Sequence, residues 1–156
     1  MAAQDRRGEN NVRHLLIIVA VLSAALLVAC RPAQAPTLPS PAADLGKRIQ
    51  APGGSYTLVT VSELREMLVH KGFPLVNVHV PYYAEIEGTD LFIPYDEIEK
   101  QLDKLPARDA RIVLYCRSGN MSNQAAHVLV ALGYTNVYDV EGGMIAWEAA
   151  GFALKK

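Results

Sequence analysis

Cysteine is scarce in this 156-residue chain: there are two, Cys30 and Cys116, and they do not form a Cys-x-x-Cys pair. Dithiol exchange within one loop is therefore excluded, and thioredoxin-like chemistry with it. Charge of one sign is not in surplus either. Fifteen Lys and Arg oppose sixteen Asp and Glu for a net charge of −1, which leaves no basic footprint for a phosphate backbone, and no nucleic-acid partner is expected. The four histidines, His14, His70, His79 and His127, share no two-ligand spacing, so the sequence calls for no metal and no cofactor. Only one long apolar run exists, fifteen residues at 15–29. That is short of the ~20 residues a helix needs to cross ~30 Å of hydrocarbon.

The run follows Arg6, Arg7, Arg13 and His14, the layout of a charged leader and an apolar middle in a secretory signal. It ends in Leu27-Val28-Ala29-Cys30, which resembles the lipobox of bacterial lipoproteins. The resemblance implies that residues 1–29 are a signal peptide and that Cys30 is acylated as the new N-terminus. The acyl chains would then hold the protein at a cell membrane or outer membrane, on an extracytoplasmic face. An uncleaved signal anchor with an incidental cysteine is the other reading. Residues 30–54 carry Pro32, Pro36, Pro39, Pro41 and Pro52 among Ala, Ser and Gln; such a segment cannot bury a core and reads as a tether. One domain, 55–156, remains.

In that domain strands alternate with helices. A short strand at 57–59 precedes Thr60-Val61-Ser62-Glu63, a capping box, and a helix to about residue 70 with Val61, Leu64, Met67 and Leu68 at helical spacing. A buried strand is expected at 75–80, a loop at 82–90, a helix at 96–102 and the clearest strand at 111–115. A helix over 123–132, a strand over 137–140 and a closing helix over 144–150 complete the chain. The alternation predicts an α/β domain with a mostly parallel sheet covered on both faces.

Cys116 follows the 111–115 strand directly. In open α/β sheets ligands collect at the carboxyl edge of the strands, and behind Cys116 a glycine-containing loop runs into a helix start. Several backbone N–H groups can converge there on one anion, and such a cradle favours thiolate over thiol. Arg117 adds positive charge. A phosphotyrosine-type phosphatase would need an arginine after five intervening residues to clamp the phosphoryl group; Ser122 holds that place.

The segments Leu114-Tyr115-Cys116-Arg117-Ser118-Gly119-Asn120, Gly133-Tyr134-Thr135-Asn136-Val137-Tyr138 and Glu141-Gly142-Gly143-Met144-Ile145-Ala146-Trp147 together resemble the rhodanese family, over roughly residues 56–154. The resemblance implies a five-stranded, mostly parallel sheet with helices on both sides. It also implies a sulfurtransferase whose loop cysteine takes a sulfane sulfur from thiosulfate or another donor as a persulfide and passes it to a thiol or cyanide-like acceptor. On that reading Cys116 is the nucleophile, Arg117 and the N–H groups of Ser118 to Met121 (with Gly119 and Asn120 between) form the anion cradle, and Ser122 completes the substrate-binding loop. Ser118, Asn120 and Ser122 would either bond a sulfur anion or stabilise the turn. The rival is a non-catalytic module that binds sulfur, senses redox state or docks a partner; a phosphate or arsenate enzyme is a weaker third.

Three departures bear on the donor. The family's Asp-x-Arg is Asn77-Val78-His79 here, and Asn77 and His79 are candidates for a supporting polar contact or for ordinary surface variation. Glu85-Ile86-Glu87-Gly88-Thr89-Asp90 replaces a Gly-His-Ile-Pro-Gly-Ala stretch, which would place carboxylates near a site for an anion. The last loop position, often basic, is Met121. A donor other than thiosulfate fits these changes. Met144 and Trp147 read as core anchors, and His127 as a satisfied helix histidine. The sequence leaves the oligomeric state open.

Overall fold

The computed structural model describes residues 45–156; the signal segment, Cys30 and the tether as far as residue 44 lie outside it. Ten elements follow one another: β1 (Lys47–Ala51), β2 (Gly54–Val59), α1 (Val61–Val69), β3 (Leu75–Asn77), β4 (Leu91–Phe92), a 3-10 segment (Ile98–Lys104), β5 (Ile112–Tyr115), α2 (Asn120–Ala131), β6 (Val137–Val140) and α3 (Gly143–Ala149). The sheet order is β1-β2-β6-β5-β3-β4. β2 to β6 are the five expected parallel strands.

A sixth strand was not expected. β1 pairs antiparallel with β2, from Lys47 opposite Leu58 to Ala51 opposite Gly54, so the sheet starts inside the segment read as tether. Its pattern hides it: Lys47, Arg48 and Gln50 are exposed, and only Ile49 and Ala51 pack on the core. Lysine and arginine are what an edge strand carries. Pro52 and Gly53 make the turn, and Gly53 at φ +90° takes the left-handed position that favours glycine.

Period-two alternation divides the core. On β5, Ile112 and Leu114 face α2 and the 3-10 segment, where they meet Ala125, Leu129 and Ile98. Val113 and Tyr115 face α1 and α3, where they meet Leu64, Met144 and Trp147. A sheet buried on both faces needs apolar residues at both parities, which is why 112–115 reads as an uninterrupted apolar run. The capping box is present in full: the Glu63 N–H donates to Thr60 Oγ1 at 3.3 Å, and the Thr60 N–H donates to Glu63 Oε2 at 2.7 Å. Met144 and Trp147 are core residues, the indole donating to the Ala153 carbonyl at 3.1 Å.

Other boundaries shift. The strand expected over 75–80 ends at Asn77. There the Asn77 side chain accepts from the His79 N–H at 3.0 Å and donates to the Ala84 carbonyl at 3.0 Å, holding the chain in a turn. The helix expected over 96–102 is a 3-10 segment broken at Gln101, whose φ of −123° is not helical, and no side chain caps its start. The last parallel strand, β4, has two residues, Leu91 and Phe92, too few for any periodicity.

Candidate active site

Alternation sends Cys116, the residue after Tyr115, to the α2 side of the sheet, where it is 1% exposed. The chain then reverses within three residues. Gly119, at φ +92°, is the N-cap of α2, which therefore begins at Asn120 rather than Asn123. The helix thus starts against the cysteine. The Gly119 N–H donates to Cys116 Sγ at 3.1 Å and the Ser122 hydroxyl at 3.5 Å. The N–H groups of Asn120 and Met121 belong to the first turn of α2, which has no intrahelical carbonyls to bond. Cys116 Sγ therefore sits at the positive end of a twelve-residue helix.

α3 braces the loop from below. The Met144 N–H donates to the Cys116 carbonyl and the Ile145 N–H to the Arg117 carbonyl, each at 3.0 Å. Two successive carbonyls of the loop are thus fixed by the first turn of one helix.

Each of the other site residues named from the sequence within 45–156 has a place. Arg117 is exposed, its guanidinium 5.2 Å from the centre of the Tyr83 ring. Ser118, Gly119 and Asn120 border a polar cleft of about 570 Å³ on the side of the loop facing β2 and β6. Met121 is part-buried and packs on the α2-side core; its place in the loop is apolar. Ser122 is fully buried, and its hydroxyl also lies 3.2 Å from the Gly119 carbonyl. Asn77 is fully buried too, but it braces the 78–84 turn and makes no hydrogen bond to the cysteine loop. Burial first, and then the charge of Arg117, push the His79 imidazole below the usual histidine value. His127 stacks tilted on Tyr56, the ring centres 5.5 Å apart.

The acidic 85–90 segment is tied down by pairing that the sequence does not display. Asp90 binds Lys71 and accepts the Leu75 N–H at 2.7 Å, and Glu87 pairs with Lys155 at 3.1 Å. The residue before Cys116 anchors the same segment. The Tyr115 hydroxyl accepts the Ile86 N–H at 3.1 Å and bonds the Thr89 hydroxyl at 2.6 Å. Burial pushes its phenol up to about 12, so it stays protonated.

Two residues read from the sequence only as a turn and a strand position lie close to the loop. Gly143 passes so close to Cys116 that no side chain fits between them. Asp139 lies in β6 beside β5, with Leu114 as its register partner, and is 2% exposed. Its signal was a lone carboxylate inside a strand of otherwise apolar character.

Residues 60–150, more than half of the chain, match the family model described as Rhodanese-like domain. A sulfurtransferase of Allochromatium vinosum is 38% identical over 64 residues, covering 41% of this chain and 59% of that protein. The thiosulfate sulfurtransferase GlpE of Pseudoalteromonas translucida is 29% identical over 103 residues, covering 62% and 92%. The chain thus spans less than two thirds of the Allochromatium protein, and 16% of another curated relative. Among solved structures, a rhodanese-related protein from Thermoplasma volcanium matches with a TM-score of 0.53 at 28% identity, covering 62% of this chain and 94% of that one. A parallel sheet ending in a cysteine loop, a family model that spans it and relatives named for sulfur transfer agree: this chain belongs to the rhodanese-like family.

Proposed function

We propose that the domain is a sulfurtransferase in which Cys116 carries the sulfur. The Cys116 thiolate attacks the outer sulfur of a sulfane donor. With thiosulfate, the S–S bond breaks, sulfite leaves with the electron pair, and Cys116 holds a persulfide anion. An acceptor thiolate then attacks the outer sulfur and Cys116 leaves as thiolate, so sulfur and electrons balance over the cycle. The observation that carries this reading is the convergence on Cys116 Sγ of the Gly119 N–H, the Ser122 hydroxyl and the start of α2. Donors fixed before the reaction stabilise a sulfur anion without reorganising. Arg117, exposed over Tyr83, is placed to attract an anionic donor, and the ion pairs of Asp90 and Glu87 weaken the repulsion expected from the 85–90 segment.

Thiosulfate or polysulfide turnover with cyanide as acceptor tests this on the intact chain and on Cys116→Ala. Cysteine-dependent thiocyanate formation supports the reading; equal rates in the two proteins contradict it.

The same proposal places the domain outside the cytoplasm, held to a membrane by acylated Cys30. The charged leader, the fifteen-residue apolar run and Leu27-Val28-Ala29-Cys30 support it. Cys30→Ser should release the protein from the membrane fraction, and full retention of that variant would contradict lipidation.

A further inference from the structure

The chain that leaves β3 is tied twice to Tyr115, the residue before Cys116. The Val78 N–H donates to the Tyr115 carbonyl at 2.9 Å, and the Ile86 N–H donates to the Tyr115 hydroxyl at 3.1 Å. Within these ties the buried Asn77 side chain holds His79 and Ala84, so the turn is fixed relative to the cysteine loop. Midway along it, Tyr82 and Tyr83 are about half exposed and take different neighbours. The Tyr82 ring meets Phe92 of β4 edge-on, the centres 5.5 Å apart, while the centre of the Tyr83 ring lies 5.2 Å from the Arg117 guanidinium carbon. That is inside the ~6 Å over which a ring attracts a cation. Arg117 forms no ion pair among the described residues. A carboxylate partner would take up the arginine's charge and its N–H donors; an aromatic ring holds the side chain and leaves both free.

We propose that Tyr83 is a positioning residue: it holds the Arg117 guanidinium beside the Cys116 loop with its charge uncompensated, and so sets the preference of the site for anionic over neutral sulfur donors. The substrate class rests on the sulfurtransferase reading, although the link between ring and charge can be measured without sulfur transfer. An exposed arginine with nothing to hold it spreads its charge over many rotamers. Charges in solvent are screened within about 8 Å at physiological salt. A guanidinium that swings away from the loop therefore loses much of its pull on an incoming anion, and the ring limits that swing. The anion meets this charge as it binds, before any bond to sulfur is exchanged. The effect belongs to donor binding, and a neutral reagent does not feel it.

The test compares alkylation of Cys116 by iodoacetate, an anion, and by uncharged iodoacetamide, followed on the Cys116 peptide of the intact chain at one pH and low salt. In both reactions the cysteine thiolate displaces iodide, so the ratio of the two rates cancels the fraction of thiolate and the general openness of the loop. Tyr83→Leu should lower the iodoacetate-to-iodoacetamide ratio about two- to fivefold, the span of an exposed cation–π contact. Tyr83→Phe keeps the ring and should keep the native ratio, and added salt should bring the native protein towards the leucine variant. In an Arg117→Gln background, Tyr83→Leu should leave the ratio where it was. With thiosulfate as donor, Tyr83→Leu should raise KM more than it changes kcat. An unmoved ratio in Tyr83→Leu overturns the proposal, and so does an equal fall in Tyr83→Phe or in the absence of Arg117. Should Tyr83→Leu not fold, Tyr83→Gln replaces it with the same outcomes. A lowered ratio in a protein that makes no thiocyanate upholds the role of Tyr83 and defeats the sulfurtransferase reading. Cysteine-dependent turnover with an unmoved ratio does the reverse, so the two fail separately.

Discussion

Gly143 lies directly against Cys116: a Cβ at position 143 would stand 2.1 Å from the Cys116 carbonyl oxygen and 2.9 Å from its carbonyl carbon. The glycine also has φ +54°, a left-handed conformation that side chains resist. Its backbone begins the turn whose next two N–H groups fix the carbonyls of Cys116 and Arg117. Gly143→Ala should therefore cost about 2–4 kcal/mol, the range for overpacking combined with backbone strain, and should disorder the loop as well. Urea denaturation reads the first effect and the Cys116 alkylation rate the second. A variant of native stability and native reactivity would show that the close approach is not obligatory.

Asp139 carries a stability consequence of its burial. Burial raises its carboxyl from 3.8 to about 7 in the folded state, so between those values the folded protein binds more protons than the unfolded one. Stability must then fall as pH rises through that window, with the full penalty present above about pH 7. Asp139→Asn should remove the penalty. The variant should gain up to about 4 kcal/mol at pH 8, from three pK units at 1.36 kcal/mol each, and little at pH 4. Denaturant titrations of both proteins at the two pH values measure this, and a gain independent of pH would contradict it.

The α1 cap behaves with the opposite sign. The Thr60 N–H holds the Glu63 carboxyl below the usual glutamate range against the opposing effect of burial, with further help from the Thr60 hydroxyl and from the Gly46 N–H at 2.9 Å. That contribution is present above the ordinary glutamate value near pH 4.5 and is lost as pH falls through the lower folded value. Thr60→Ala removes the hydroxyl that accepts the Glu63 N–H and should cost about 1 kcal/mol at pH 7. Repeating the urea titration near pH 3 should show a smaller difference between variant and native protein.

The sequence and the structure agree where a pattern repeats. The apolar run at 112–115, the helical spacing of Val61, Leu64 and Met67 and the capping box are local, and each appears as read. The position of Cys116 at the carboxyl end of β5 was legible because a polar, glycine-containing loop follows an apolar strand there; that its side chain turns into the core was not. What stayed hidden depends on contacts distant in sequence. β1 is held by its partner rather than by its own pattern, and the acidic 85–90 segment meets Lys71 and Lys155 only after folding. Ser122, read from the sequence chiefly as the residue standing where a phosphatase needs arginine, donates to Cys116 Sγ. Asp139 differs from its neighbours in one letter, and only the packing of β2, β5 and α2 around it shows that it is buried.

The central claim is that Cys116 carries sulfur, and the mass of the intact protein tests it most directly. After treatment with a sulfane donor and removal of excess reagent, the account requires a gain of one sulfur atom, located on the Cys116 peptide, lost on adding cyanide and absent from Cys116→Ala. An unchanged mass with both thiosulfate and polysulfide as donors, in protein whose Cys116 still alkylates, would contradict it.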